Sequence, residues 1–263
     1  MNVLVIGGGA IGLSIAWRAA QQGLDVTVVD PAPGSGASST AAGMLAPVTE
    51  LHFEGRDLLA LNLASAERYP AFAAELESLT GIDVGLRRCG TIQVGWDAAD
   101  LAALRRLHEF HSSLGVPSAM LASRELRSME PALAAGLPGG LWAENDHQVD
   151  NRRLHAALLV AAQKAGVAIV AARVATVWTD AGRVRGAVTD AGERLTADVT
   201  VLAAGAWSRQ IAGIPVEALP PVRPVKGQTL RLRAPEKLLE HVVRGSVKGN
   251  AVYIVPRGDG EVV

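Results

Sequence analysis

Six residues near the start of the chain, Gly7-Gly8-Gly9-Ala10-Ile11-Gly12, restrict the fold more than any other stretch. An apolar run, Val3-Leu4-Val5-Ile6, precedes them. A helical pattern follows and stops at Gly23, and Val26-Thr27-Val28-Val29-Asp30 comes next. The order is strand, glycine turn, helix, strand, acidic residue. Each glycine in this spacing has a physical task. Gly7 makes the tight turn, Gly9 lets the backbone approach a pyrophosphate, and Gly12 lets the helix lie close to the strand. Ala16 keeps that helix face thin, and Gly23 suits a left-handed cap. The N–H groups at the helix start are then open to phosphate oxygens. Asp30, near the expected spacing of about 20 residues beyond the turn, can accept hydrogen bonds from an adenosine ribose. Its charge would repel a 2′-phosphate.

Bulk properties narrow the class. The chain has 263 residues, enough for one or two domains, and 49% are hydrophobic, which is a globular composition. A formal net charge of −1 gives no electrostatic case for nucleic acid or an anionic membrane. Cys89 is the single cysteine, so no intrachain disulfide forms, which fits a reducing compartment. Residues 3–17 are apolar, but no basic segment precedes them, and the run falls short of the about 20 residues that span a bilayer. A soluble cytoplasmic protein with no membrane partner is expected.

Beyond Asp30, residues 31–40 read as a loop, and 41–47 are small and apolar. A helix is predicted over 58–79, with Asp57 as cap and Pro70 as a kink or break. Residues 90–95 read as a strand. An amphipathic helix follows over 97–114, with Leu101, Leu104, Leu107 and Phe110 near one face. A helix over 150–165, a strand over 167–170 and a hairpin over 174–188 turning at Asp180-Ala181-Gly182 come next. The strand 199–203 leads into Ala204-Gly205-Ala206-Trp207. The chain changes character at Pro220, with strands expected over 225–232 and 250–255. The fold class is α/β: a discontinuous Rossmann-like domain with an inserted α+β domain.

Four features occur in sequence: the glycine turn with Asp30; Ser38-Ser39-Thr40-Ala41-Ala42-Gly43-Met44-Leu45; Ala203-Ala204-Gly205-Ala206-Trp207-Ser208; and Pro224-Val225-Lys226-Gly227-Gln228 followed by Tyr253-Ile254-Val255-Pro256-Arg257. In combination they resemble the FAD-dependent amine oxidases of the D-amino-acid oxidase superfamily, and within it the glycine oxidases. The resemblance covers the whole chain. It implies an FAD-binding domain over 1–85 and 146–222 and an incomplete substrate domain over 86–145 and 223–263. Ser38, Ala42, Gly43 and Met44 match flavin-contacting positions. Ala10, Ile11 and Asp30 match the adenosine-diphosphate side, alongside Gly7, Gly9 and Gly12. Val174 matches a position that holds adenine through its backbone, and Tyr253 matches a tyrosine that lines the substrate pocket.

Residue chemistry agrees with that match. Small side chains at Ala42 and Gly43 let the backbone lie against a flat ring, where N–H groups can tune its electronics. Gly205, after a buried strand, allows a second close approach. Trp207 reads as core. His108 and His111, three apart on a helix, read as solvated, and with no third ligand no metal site is expected. The arginine pairs 87–88 and 105–106 read as surface charge, and Cys89 as structural.

The resemblance also implies an activity. Glycine, other small primary or secondary amines, or D-amino acids would lose a hydride equivalent to the flavin. The imine would hydrolyse to an oxo acid and ammonia. Molecular oxygen would reoxidise the flavin and form hydrogen peroxide, in the setting of thiamine biosynthesis. A homo-oligomer follows by family analogy alone. A D-amino-acid dehydrogenase, a sarcosine oxidase or a non-catalytic flavin-binding module stays open as an alternative. Family members run well past Val263, and there supply the arginine that pairs with the substrate carboxylate. Arg223, Arg231, Arg233 and Arg257 do not match it. Asp259-Gly260 reads as a turn and Glu261-Val262-Val263 as the start of a return strand, so a C-terminally truncated copy is expected, with a naturally shortened protein as the open alternative.

Overall fold

The computed structural model describes residues 1–219 and 221–263. Pro220, where the sequence suggests a change of domain, lies outside the described residues. The chain divides into two compact units: Met1–Ala41 with Leu76–Asp83 and Asn151–Gln228, and Ala42–Glu75 with Val84–Asp150 and Thr229–Val263. The boundaries differ from the sequence-based ones, because residues 42–75 group with the second unit.

The first unit is built on a four-stranded sheet in the order Val199–Leu202, Asn2–Ile6, Asp25–Val29, Ala168–Val170, with every neighbouring pair parallel. Val3, Leu4, Val5 and Ile6 are all buried, the continuous apolar pattern of a strand covered on both faces. Helices Ala10–Gln21 and Asn151–Lys164 pack against each other. The first buries Leu13, Ala16 and Trp17; the second buries Leu154, Ala157, Leu158 and Ala161 at helical spacing. A separate antiparallel ribbon joins Val174–Asp180, Arg183–Thr189 and Arg194–Thr196. Its first turn has positive φ at both Ala181 and Gly182, matching the hairpin expected there. Leu4, Ile6, Val29, Val174, Val177, Ala187 and Ile211 share one cluster.

The second unit holds a five-stranded mixed sheet in the order Asn250–Ile254, Val242–Val247, Thr91–Gly95, Gly139–Ala143, Ala119–Ala122. Helix Ala98–Ser113 starts at Asp97, whose carboxylate accepts the Ala99 and Asp100 amide hydrogens. It packs Leu104 and Leu107 on Leu141. The opposite face buries Ile92, Val94, Leu126, Leu137, Leu239 and Val243. A two-stranded ribbon pairs Met44–Leu45 with His147–Gln148. Helix Arg56–Thr80 runs through Pro70 without breaking.

Three readings need correction. The strand expected over 225–232 does not form. Val225 is 83% exposed, and only Leu232–Arg233 is extended, paired with Glu261–Val262. An alternating pattern makes a strand only where a neighbour supplies the ladder. Trp207 is not core: it is 49% exposed in a 3-10 turn, with its ring edge against Gly36. His111 is not solvated: it is fully buried, with Nε2–H donating to the Leu51 carbonyl and Nδ1 facing the Ser118 hydroxyl. Among the described residues, no helix is long and apolar enough to cross a membrane.

Candidate functional site

In the first unit the glycine turn leaves the carboxyl end of the central strand, where open parallel sheets receive ligands. Gly7 has φ +112°, and its N–H donates to the Val29 carbonyl at 2.9 Å. A Cβ at Gly7 would lie 2.3 Å from the Ala203 carbonyl oxygen, and one at Gly12 would lie 1.9 Å from the Gly7 carbonyl oxygen. Both positions therefore require glycine for close backbone packing. Gly9 is the residue before the helix and brings no side chain of its own to the helix end. Its nearest neighbour is the Ser38 hydroxyl, 3.1 Å from where a Cβ would sit. That hydroxyl accepts the Ala10 N–H at 3.0 Å, so the short helix Ala37–Thr40, formed within the stretch expected to be a loop, supplies the cap.

Asp30 closes the turn from the second strand. Its Oδ2 accepts the Gly8 N–H at 2.7 Å and its Oδ1 accepts the Ala32 N–H at 2.8 Å. Each carboxylate oxygen retains a further lone pair for a ribose hydroxyl. The fit to a dinucleotide is good: a side-chain-free turn, a helix N-terminus and a carboxylate at the strand end stand together. Ile11, on the first helical turn, is 72% exposed. Val174 is buried with Ile6 and Val29. Gly205 has φ +54°, and no protein atom lies within 4 Å of a Cβ built there. Its backbone needs glycine-like freedom, whereas the crowding at Gly7 and Gly12 is absent.

Three supporting residues escaped sequence reasoning. His155 Nε2 donates to the Gly8 carbonyl at 2.9 Å, and its ring would clash with any side chain at Gly34. Asn151 Nδ2 donates to the Ser38 carbonyl at 2.8 Å, and Arg152 Nε to the Ser39 carbonyl at 3.1 Å. All three sit in the first turns of helix Asn151–Lys164 and hold the glycine turn and the short helix Ala37–Thr40. The only sequence signal was their place at a helix N-terminus.

In the second unit Ala42 is buried, and Gly43 has φ +76°. Met44 begins the ribbon strand, and Val149 N–H donates to the Gly43 carbonyl at 2.8 Å. A cavity of about 230 Å³ adjoins this segment, bordered by Met44, Ala46, Glu50, Asn62, Ser65 and Tyr69. Burial pushes the Tyr69 hydroxyl up to about 12 from its ordinary value of 10. Tyr253 is 38% exposed on an outer strand, directly opposite Arg244. Arg244 pairs with Glu50 at 2.5 Å and donates to Thr49 Oγ1 at 3.3 Å. Asp146, fully buried, accepts the Val48 and Thr49 amide hydrogens and the Thr49 hydroxyl. Burial raises its carboxyl above the ordinary value, against the pull of those hydrogen bonds and of Arg244. No motif pointed to Asp146.

Comparison with known proteins gives one consistent answer. The model of the DAO family, FAD dependent oxidoreductase, matches residues 2–263. The chain is 37% identical over 265 residues to the bifunctional protein ThiO/ThiG of Synechocystis sp., covering 100% of this chain and 38% of that protein. It is 35% identical to the glycine oxidase of Geobacillus kaustophilus, covering 100% of this chain and 68% of that one. The crystal structure of the Geobacillus kaustophilus enzyme superimposes with a TM-score of 0.90, covering 99% of this chain and 69% of that one. An iminodiacetate oxidase from Chelativorans sp. BNC1 superimposes with a TM-score of 0.82 at 26% identity, covering 99% and 70% of the two chains.

Proposed function

The chain belongs to the DAO family of FAD-dependent oxidoreductases, and we propose that it oxidatively deaminates glycine or other small amines, with oxygen as acceptor. One observation carries the proposal: the likeness to glycine oxidase runs through the whole chain, at 35% identity and a TM-score of 0.90. The small cavity beside Met44 is consistent with a small substrate.

Bound FAD supplies the hydride-accepting chemistry; the protein supplies position, charge and exclusion of water. Asp30 would hold the adenosine ribose, and Gly7, Gly9, Ala10, Ile11 and Gly12 would take the pyrophosphate side, where the first N–H groups of the helix meet negative charge. Val174 would hold adenine, and Gly205 would admit a second close approach. Ser38 would exchange its bond with the Ala10 N–H for a contact to the cofactor. Ala42, Gly43 and Met44 would present backbone to the flavin. Tyr253 would line the substrate side. Tyr69, which borders the cavity, would add a neutral phenol to the substrate side. Arg257 is directed at backbone carbonyls, so it does not serve as the substrate carboxylate anchor. The reading includes a role in thiamine biosynthesis, a cytoplasmic location and a homo-oligomer. It also assigns the first unit to the adenosine and pyrophosphate part of FAD, and the second to substrate and, through Ala42, Gly43 and Met44, to the flavin.

The test uses purified protein. A yellow protein that releases flavin on heating and forms hydrogen peroxide and ammonia from glycine, sarcosine or D-alanine supports the proposal. Reduction of an artificial acceptor with no peroxide would convert it to a dehydrogenase. A colourless protein that binds NAD instead would end it.

A further inference from the structure

We propose that Arg257 is a positioning residue for the cofactor: it fixes the Ala42–Gly43 peptide so that the Gly43 N–H is presented to the flavin. The inference rests on the reading above, in which the Ala42–Met44 segment lies against the ring.

Arg257 follows the outer strand Asn250–Ile254, yet it is only 6% exposed. Its Nη2 donates to the Ala42 carbonyl at 2.7 Å. Its Nη1 donates to Gln148 Oε1 at 2.9 Å and to the Val149 carbonyl at 2.8 Å. Gln148 is fixed in turn, because its Nε2 donates to the Pro256 carbonyl at 2.6 Å. Arginine and glutamine thus lock each other across the ribbon that carries Met44. The next carbonyl along the segment, that of Gly43, is taken by the Val149 N–H. Two consecutive carbonyls are therefore held, and the segment has little freedom to rotate.

The direction of the peptide follows. All described peptide bonds are trans, so the C=O and N–H of one peptide point opposite ways. Drawing the Ala42 carbonyl toward Arg257 turns the Gly43 N–H away from it. The positive φ of Gly43 keeps that arrangement at a residue with no Cβ to obstruct a flat ring. A buried arginine is a costly way to stabilise a fold, since apolar replacements of buried ion groups are often neutral or better. Its planar fork is suited to hold three acceptors in fixed geometry, which a lysine cannot do.

The test compares Arg257→Met, Arg257→Lys and Gln148→Met in the FAD-loaded protein. Three quantities are read: amide hydrogen exchange at residues 42–45, the visible flavin spectrum, and FAD affinity by flavin fluorescence. Arg257→Met is expected to accelerate exchange at 42–45, shift the flavin band and weaken FAD binding about 10- to 100-fold, the range for a lost charge-assisted hydrogen bond. Arg257→Lys restores charge without the fork and should recover only part of both effects. Gln148→Met, which keeps Arg257, should give a smaller change in the same direction. Unchanged exchange at 42–45 overturns the clamp. Faster exchange with an unchanged flavin spectrum and affinity leaves the clamp intact and overturns the placement of the segment at the flavin. If Arg257→Met does not fold, the other two variants decide by the same readouts.

Discussion

His155 donates from Nε2 to the carbonyl of Gly8 at 2.9 Å. The bond reaches from helix Asn151–Lys164 to the middle of the glycine turn and fixes the imidazole tautomer, because a carbonyl can only accept. His155→Ala should leave the fold intact and loosen the turn. A neutral hydrogen bond contributes about 1 kcal/mol, so FAD affinity should fall about fivefold. Isothermal titration of apoprotein with FAD measures this, and an unchanged constant would show that the turn holds its shape unaided.

Asp30→Ala should cost more. It removes the carboxylate proposed to hold the ribose, and the acceptor for the Gly8 and Ala32 amides. The expected loss of FAD binding is about 1.5–3 kcal/mol, as for charge-assisted hydrogen bonds. Asp30→Asn, which keeps one acceptor oxygen, should fall between. Equal retention in all three proteins would mean that the carboxylate does not touch the cofactor.

Gly12 and Gly205 should separate packing from backbone strain. A methyl group at Gly12 meets a backbone oxygen at 1.9 Å, and backbone cannot yield as a side chain would. Gly12→Ala should exceed the usual overpacking cost of about 1–3 kcal/mol and lower the melting temperature sharply. Gly205→Ala has open space and a left-handed φ, so only strain of about 1–2 kcal/mol applies. If FAD affinity drops by more than stability does at Gly205, the cofactor makes the close approach there; a matched drop argues against it.

Acid should weaken the fold through two histidines. Burial lowers His111 and His147 from the ordinary value of 6.5. The native state keeps both rings neutral while the unfolded chain takes up protons first. Their contribution is complete above pH 6.5 and is lost as pH falls through the lowered values. Asp146 acts with the opposite sign: burial raises it from 3.8, so its contribution falls as pH rises from there through the raised value. Melting temperatures between pH 7.5 and 5.5 should decline in the parent, and less steeply in His111→Gln. Parallel curves would assign the acid sensitivity elsewhere.

The glycine turn was legible because its constraint is local: Gly7 and Gly12 are glycine for reasons confined to a dozen residues. His111 also left a trace, since Leu104, Leu107 and His111 share one helical face, but its polarity argued for solvent. Ser38 and Arg257 stand in recognisable strings and His155 near a helix start, but none of these patterns reports the partner that each side chain holds. Their partners lie far along the chain, at Ala10, Gly8 and Ala42, and no local pattern reports a contact across such a separation. Arg257 belongs to the Tyr-Ile-Val-Pro-Arg string, but that string does not report that its side chain turns inward to the Ala42 carbonyl. The alternation over 225–232 misled for a related reason: pairing depends on a neighbour that the run itself does not contain.

The central strand Asn2–Ile6 lies between Asp25–Val29 and Val199–Leu202. On the ribosome its first neighbour follows almost at once. The second waits for the intervening segments, and at about 5–20 residues per second that is roughly 10–30 s. Throughout that interval the innermost strand of the nucleotide sheet has one bare edge, open to any other nascent strand. During those seconds, pairing with a stray strand competes with completion of the sheet.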